Sequence, residues 1–154
     1  TCYSAVHLKH PLATLTIIGS NKGLFGVRFG KLPLVGLARD ASPIQTAVQQ
    51  ILCYLDGKPI TQHIQIDLAS ATPFQKEVWK ITQTIPFGET RSYAWVASQL
   101  GNPKKARAIG QAMSANPIPI VIPCHRVIAS DGSLGGFSAG LKWKQILLDH
   151  ESRH

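Results

Sequence analysis

At Thr72 the chain changes its period, and that break limits the folds open to it more than any other feature. Thr72-Pro-Phe-Gln75 places a capping hydroxyl, a proline at the first helical position and a glutamine at the third, the arrangement that starts a helix. Phe74, Val78 and Ile81 then recur at helical spacing. Upstream the pattern is different. Residues 12–18 and the stretch Leu24–Phe29 read as two β-strands around a Gly/Asn turn. Ser42, Pro43 and Gly57 mark the ends of a helix whose stripe is Ile44, Val48, Ile51, Leu52 and Leu55, and Ile64, Ile66 and Leu68 alternate as in a strand. The expectation is two domains, residues 1–71 and 72–154. The first is a small α/β unit with no visible chemistry, in which His7, His10 and His63 read as surface or satisfied histidines. The second is mainly helical, with a winged-helix-like helix-turn-helix, so the whole is α+β or α/β.

The helix-turn-helix reading comes from residues 93–114. Tyr93, Val96, Ala97 and Leu100 form one inner stripe, and Gly101 stops that helix. Asn102 caps the next helix, Pro103 opens it, and Ala106, Ile109, Gly110 and Met113 face inward. Lys104, Arg107, Gln111 and Ser114 share the opposite face. Ala106, Ala108, Gly110 and Ala112 make this second helix thin, although a helical glycine costs about 1 kcal/mol against alanine. Close helix packing explains such thinness; so does insertion into a DNA groove with Arg107 leading. Charge favours the groove. The net charge is +8 at pH 7, and between Glu89 and Asp131 there is no acid, while Arg91, Lys104, Lys105, Arg107 and Arg126 all fall there. A one-signed span of that length suits a polyanion.

Past it comes Pro119-Ile-Val-Ile-Pro-Cys-His-Arg-Val-Ile128, where a thiol, a base and a fixed cation are consecutive. A cysteine in an apolar run is commonly a small buried hydrophobe. A zinc site would need partners such as CxxC or HxxxH, which the sequence does not offer near Cys124. The third reading is a nucleophile. A thiol with pKa about 8.5 is mostly protonated at neutral pH, and His125 could accept its proton directly or through a water. Glu151 follows Leu147 and Leu148 by four and three residues, on the apolar side of the last helix, where an unpaired carboxylate would be costly. His125 is its best partner.

The segments FQKEVW, IPFGETRSYAWVA, NPKKARAIGQAMSANP, NPIPIVIPCHRV and PCHRVIASDGSLGGFSAGLKWKQILLDHE resemble those of the O6-alkylguanine–DNA alkyltransferases, or methylated-DNA–protein-cysteine methyltransferases. The likeness is dense over residues 72–151 and weaker over 1–71. It implies DNA repair by irreversible, once-only transfer of an alkyl group from O6-alkylguanine, and also from O4-alkylthymine, to Cys124 after base flipping. It further implies that His125 acts as base through a water, Glu151 orients His125, Asn116 holds the turn, and Tyr93 contacts phosphate and neutralises the departing guanine. Arg107 would fill the gap in the base stack, beside Lys104, Lys105, Ala106, Ala108 and Gly110 on the DNA-binding helix. Met113, Val127, Phe137 and Ser138 would line the alkylguanine pocket; relatives often have tyrosine at Phe137, so here a hydroxyl is lost and an apolar wall remains. No cofactor or metal is implied. The partner would be double-stranded DNA bearing O6-alkylguanine, met by a monomer. Two other readings exist: a lesion-binding module without chemistry, which would lack Cys124, and a thiol hydrolase, which would leave the basic helix unexplained.

Compartment follows from what is missing. No run approaches the roughly 20 apolar residues of a membrane span, and the start does not read as a signal peptide. Three cysteines are an odd number, so reduced thiols are expected, with a Cys2–Cys53 bridge left open. A soluble intracellular protein is expected, cytoplasmic, or nuclear in a eukaryote.

Overall fold

The computed structural model describes residues 3–39 and 44–154. The chain divides into two compact units, Thr1–Ala69 and Ser70–His154.

In the first unit, β1 (Tyr3–Lys9), β2 (Thr14–Ser20) and β3 (Gly23–Phe29) form an antiparallel sheet in that order, with a register shift between Ile18 and Gly19. β1 was not apparent as a strand in the sequence. Its pairing with β2 runs without a break from Tyr3–Ser20 to Lys9–Thr14. Helix α1 (Gln45–Leu55) follows, and Ser42 and Pro43, the expected start signals, lie outside the described residues, as does Cys2. Its buried face is Ala47, Gln50, Ile51, Tyr54 and Leu55, turned from the expected stripe because Tyr54 is buried while Val48 and Leu52 are only half-buried. Gln50 is buried with its oxygen accepting from the N–H groups of Thr61 and Gln62, which closes the turn after the helix. The expected strand at Ile64–Leu68 is reduced to one bridge, Leu24–Ile66. Asp67, not Leu68, is the residue buried there, and its carboxylate bonds to Ser20 Oγ and the Ala69 N–H, so the alternation breaks.

The second unit begins at α2 (Pro73–Thr82). Thr72 Oγ1 accepts from the Gln75 N–H, and Gln75 Oε1 accepts from the Thr72 N–H, closing the capping box. The inward face is Val78, Trp79 and Thr82, and the Trp79 indole N–H donates to Ala112 O at 3.0 Å. Next come β4 (Arg91–Ser92) and α3 (Tyr93–Gln99), stopped by Gly101 at φ +78°, a left-handed conformation that favours glycine. Asn102 caps a single 3-10 turn, Pro103–Lys105, which leads into α4 (Ala106–Ser114). The second helix thus starts one turn later than expected. β5 (Val127–Ile128) pairs in parallel with β4, matching Arg91 to Val127 and Ser92 to Ile128, and α5 (Leu141–Ser152) ends the chain. Although only two residues long, this ladder sets the start of α3 beside the residues that follow Cys124-His125-Arg126. Among the described residues no helix is long and apolar enough to cross a membrane.

Candidate functional site

Cys124 opens a 3-10 turn, Cys124–Arg126, and is wholly buried. Pro123 before it has φ −81° and ψ +62°, and the Cys124 N–H reaches Ile122 O at 2.8 Å, an inverse γ-turn. Asn116 spans the loop that leads there. Its Oδ1 accepts from the Ile118 N–H at 2.9 Å, while Nδ2 donates both to Ile122 O and to Cys124 Sγ, each at 2.9 Å. Ile118, Ile120 and Ile122 are buried between prolines, and Ile120 carries φ +76°, the one non-glycine positive φ among the described residues. Such a conformation in a β-branched residue persists only where its surroundings impose it.

His125 is also fully buried, and its Nε2 bonds to Glu151 Oε2. Glu151 takes further bonds from Arg126, Nε to Oε1 at 2.8 Å and Nη2 to Oε2 at 3.1 Å, and from the Gly88 N–H at 2.9 Å. Burial alone would raise its pKa, yet the His125 and Arg126 partners hold it well below the usual carboxylate range. His125 is shifted downward, first by burial, with Glu151 acting in opposition. The Phe137 ring stands edge-on to the imidazole, 6.4 Å between centroids.

Sequence reasoning missed Lys144. Its ammonium lies buried on α5 and donates to Val127 O at 2.7 Å, to Leu134 O, and to Gly136 O at 3.1 Å, with Tyr93 Oη at 3.4 Å. Burial brings its pKa down to about 8. One signal was available: Lys144 precedes Glu151 by seven residues and Leu147 by three, so all three share a helix face. A lysine on such a face is normally discounted as a surface residue.

The thiol is not a thiolate at rest. Burial pushes Cys124 up to about 12, with the Asn116 bond and the Lys144 charge acting the other way. The pair at rest is therefore a protonated thiol and a neutral imidazole. Tyr93 is likewise raised by burial, opposed by the N–H bond from Gly136.

Tyr93, Ala106, Arg107, Gly110, Gln111, Ser114, Gly135 and Gly136 line an open concavity of about 510 Å³. Gly110, expected to face inward, belongs to this lining. At Gly135 a β-carbon would lie 2.3 Å from Tyr93 Oη, and φ is +70°, so only glycine lets the loop approach the phenol. Met113, Val127 and Phe137 are buried outside this lining, and Ser138 is exposed. Lys104, Lys105 and Arg107 are exposed, and Lys105 Nζ lies over the Phe74 ring at 5.1 Å. Ala108 is half-buried. Cys53 is a free thiol. His7 bonds to Leu32 O and His10 to Asp56, while His63 is exposed.

The chain is similar to known proteins. Residues 73–153 match the family model "6-O-methylguanine DNA methyltransferase, DNA binding domain". The methylated-DNA–protein-cysteine methyltransferase of Mycolicibacterium paratuberculosis is 41% identical over 148 residues, 94% of this chain and 89% of that one. The Methanosarcina barkeri protein of the same name is 38% identical, covering 96% of both. Among solved structures, the Mycobacterium tuberculosis O6-methylguanine methyltransferase superimposes with TM-score 0.85 at 36% identity, over 98% of this chain and 93% of that one. The same organism's OGT in complex with DNA gives TM-score 0.84 at 37% identity, over 99% and 94%.

Proposed function

The chain belongs to the methylated-DNA–protein-cysteine methyltransferase family, and from that premise we propose that Cys124 is the atom-accepting residue of its repair reaction. The protein binds DNA and repairs it by moving an alkyl group onto itself. The substrate is duplex DNA carrying O6-alkylguanine, with O4-alkylthymine as a second lesion, and the protein acts as a monomer in the compartment that holds the DNA: cytoplasm, or nucleus in a eukaryote.

The observation that carries the assignment is two hydrogen-bonded groups meeting at consecutive residues, Asn116 on the Cys124 sulfur and His125–Glu151–Arg126 beside it. The reaction is a displacement at carbon: a sulfur–carbon bond forms, the carbon–oxygen bond breaks, and the electron pair goes to the purine. His125, held by Glu151 through Nε2, takes the thiol proton at Nδ1 through a water. Tyr93, at the edge of the concavity, neutralises charge that develops on the leaving base, and the Lys144 ammonium supports both sulfur and phenol. A stacked base is unreachable, so it must be flipped out at a cost of a few kcal/mol. Arg107 offsets that cost by filling the gap, with Lys104 and Lys105 on phosphates and Ala106, Ala108 and Gly110 allowing close approach. Met113, Val127, Phe137 and Ser138 shape the base pocket once it opens. The thioether does not hydrolyse, so each molecule acts once.

Incubation with duplex DNA containing O6-methylguanine tests this reading by intact mass and peptide mapping. One methyl per chain on the Cys124 peptide is expected, saturating with time. Continuous turnover would indicate a hydrolase, and binding without a mass change a lesion-recognition module; either would sink the assignment. DNA affinity should fall steeply with salt, because phosphate contacts release counterions.

A further inference from the structure

Glu151 meets more donors than orienting one imidazole requires. An ionised carboxylate offers about four lone-pair sites. Here two N–H groups of Arg126, the backbone N–H of Gly88 and the ring of His125 use them. Arg126 is itself anchored, with Nη1 donating to Ile85 O at 2.9 Å and its guanidinium over the Phe87 ring at 5.7 Å. It is buried, although the sequence presents it as a cation of a basic stretch, next to the thiol and the base.

We infer that Arg126 is a positioning residue of the alkyl-transfer reaction: by forking onto both oxygens of Glu151, it lets that carboxylate orient His125 without drawing a proton onto the ring. The inference rests on the Cys124–His125–Glu151 relay proposed above. An orienting carboxylate has two effects that oppose each other. It fixes the tautomer, but in a low-dielectric site its charge also favours imidazolium, and a protonated histidine cannot accept the thiol proton. A guanidinium bound to both oxygens cancels most of that attraction and leaves the hydrogen bond in place. Arginine suits the role because its fork matches a carboxylate and does not lose its charge near neutrality.

The charges acting on the ring are Glu151 and Lys144 from α5 and Arg126 from its own turn, beside the neutral Cys124 thiol, and Glu151 is the carboxylate among them. Arg126 and Lys144 oppose the proton and Glu151 favours it, in line with the lowered value of His125. A plain staple between α5 and residues 85–88 is the competing explanation. It would affect stability and rate at every pH alike. A positioning role would move the pH at which activity is lost in acid.

The test follows methyl transfer from O6-methylguanine duplex by intact mass between about pH 5 and about pH 9, where a histidine base titrates. The proteins are wild type, Arg126→Gln, Arg126→Lys, Glu151→Gln and the Arg126→Gln/Glu151→Gln pair. Wild type should lose rate in acid as His125 protonates. Arg126→Gln should move that midpoint upward by about one pH unit. In the Glu151→Gln background the same change should leave the midpoint where it was. Arg126→Lys keeps the charge but not the fork, so its midpoint and its rate should lie between wild type and Arg126→Gln. It carries the test alone if the glutamine variant does not fold. The inference is overturned by an unmoved midpoint with rate lowered equally at all pH values, by a shift that persists without Glu151, or by Arg126→Lys matching wild type in both measures. If wild-type Cys124 stays unalkylated, the relay itself fails; an alkylated Cys124 with an unmoved midpoint sinks the Arg126 role alone.

Discussion

In the first unit the buried polar groups close turns, whereas in the second they gather around a sulfur. Asp67 bonds to Ser20 Oγ at 2.5 Å and to the Ala69 N–H, Gln50 binds two consecutive N–H groups, and Thr16 joins Gly30 O to the Leu32 N–H. Each of these bonds satisfies backbone or a neighbour, and Asp67 is the one ionisable group among them. In the second unit Cys124, His125, Arg126, Lys144 and Glu151 are all buried; hydrogen bonds join His125, Glu151 and Arg126, and the Lys144 charge acts on Cys124. Burying that many ionisable groups costs stability unless each is paired. The contrast separates polar burial that serves architecture from polar burial that serves chemistry.

Four substitutions test the contrast, and the largest effect belongs to Lys144. Lys144→Met should lower the rate of methyl transfer by about 100-fold, the loss typical of one preorganised electrostatic donor. It should also lower the urea midpoint, since the carbonyls of Val127, Leu134 and Gly136 lose their donor. A stability loss with the rate intact would make Lys144 an architectural residue like those of the first unit. Glu151→Gln comes next, slowing transfer by about 10- to 100-fold while leaving DNA affinity nearly unchanged. Its pH signature has a definite sign. The folded value lies below the usual 4.5, so the carboxylate contributes stability above that pH and loses it as pH falls toward the folded value. Urea midpoints measured from neutral to acid pH should therefore drop more in wild type than in Glu151→Gln.

Arg107→Ala should slow repair of duplex DNA by about tenfold, the order of one lost base-step contact, and barely change reaction with the free modified base. Single-turnover rates on the two substrates decide it, and an equal loss on both removes the stack-filling role. Ser20→Ala, in the first unit, is the smallest case. It should cost about 1 kcal/mol of stability, from the lost bond to Asp67, with the rate per folded molecule unchanged. A change in rate would give the first unit a part in the chemistry.

Local rules made much of this legible before any coordinates. The capping box at Thr72, the glycine stop at Gly101 and the Asn102 cap are short-range events whose residues state their own geometry. The pairing of His125 with Glu151 was legible because Glu151 follows Leu147 and Leu148 on the apolar side of the last helix, where a carboxylate needs a partner. What stayed hidden depends on the fold. β1 needs β2 as a partner, Asp67 needs Ser20 from across the sheet, and Lys144 needs carbonyls supplied by the 127–136 loop. The further rise of the thiol to about 12 was hidden for the same reason: burial and not its neighbours dominates its acidity.

The bond from the Trp79 indole to Ala112 O ties a deeply buried chromophore to the helix that carries Arg107. Trp95, by contrast, is half-exposed with the Arg91 guanidinium 5.5 Å from its ring. Any tilt of α4 would strain the Ala112 bond, so the emission of Trp79 should respond to it. Such a movement could then be followed without a label, from the side of the helix away from Arg107.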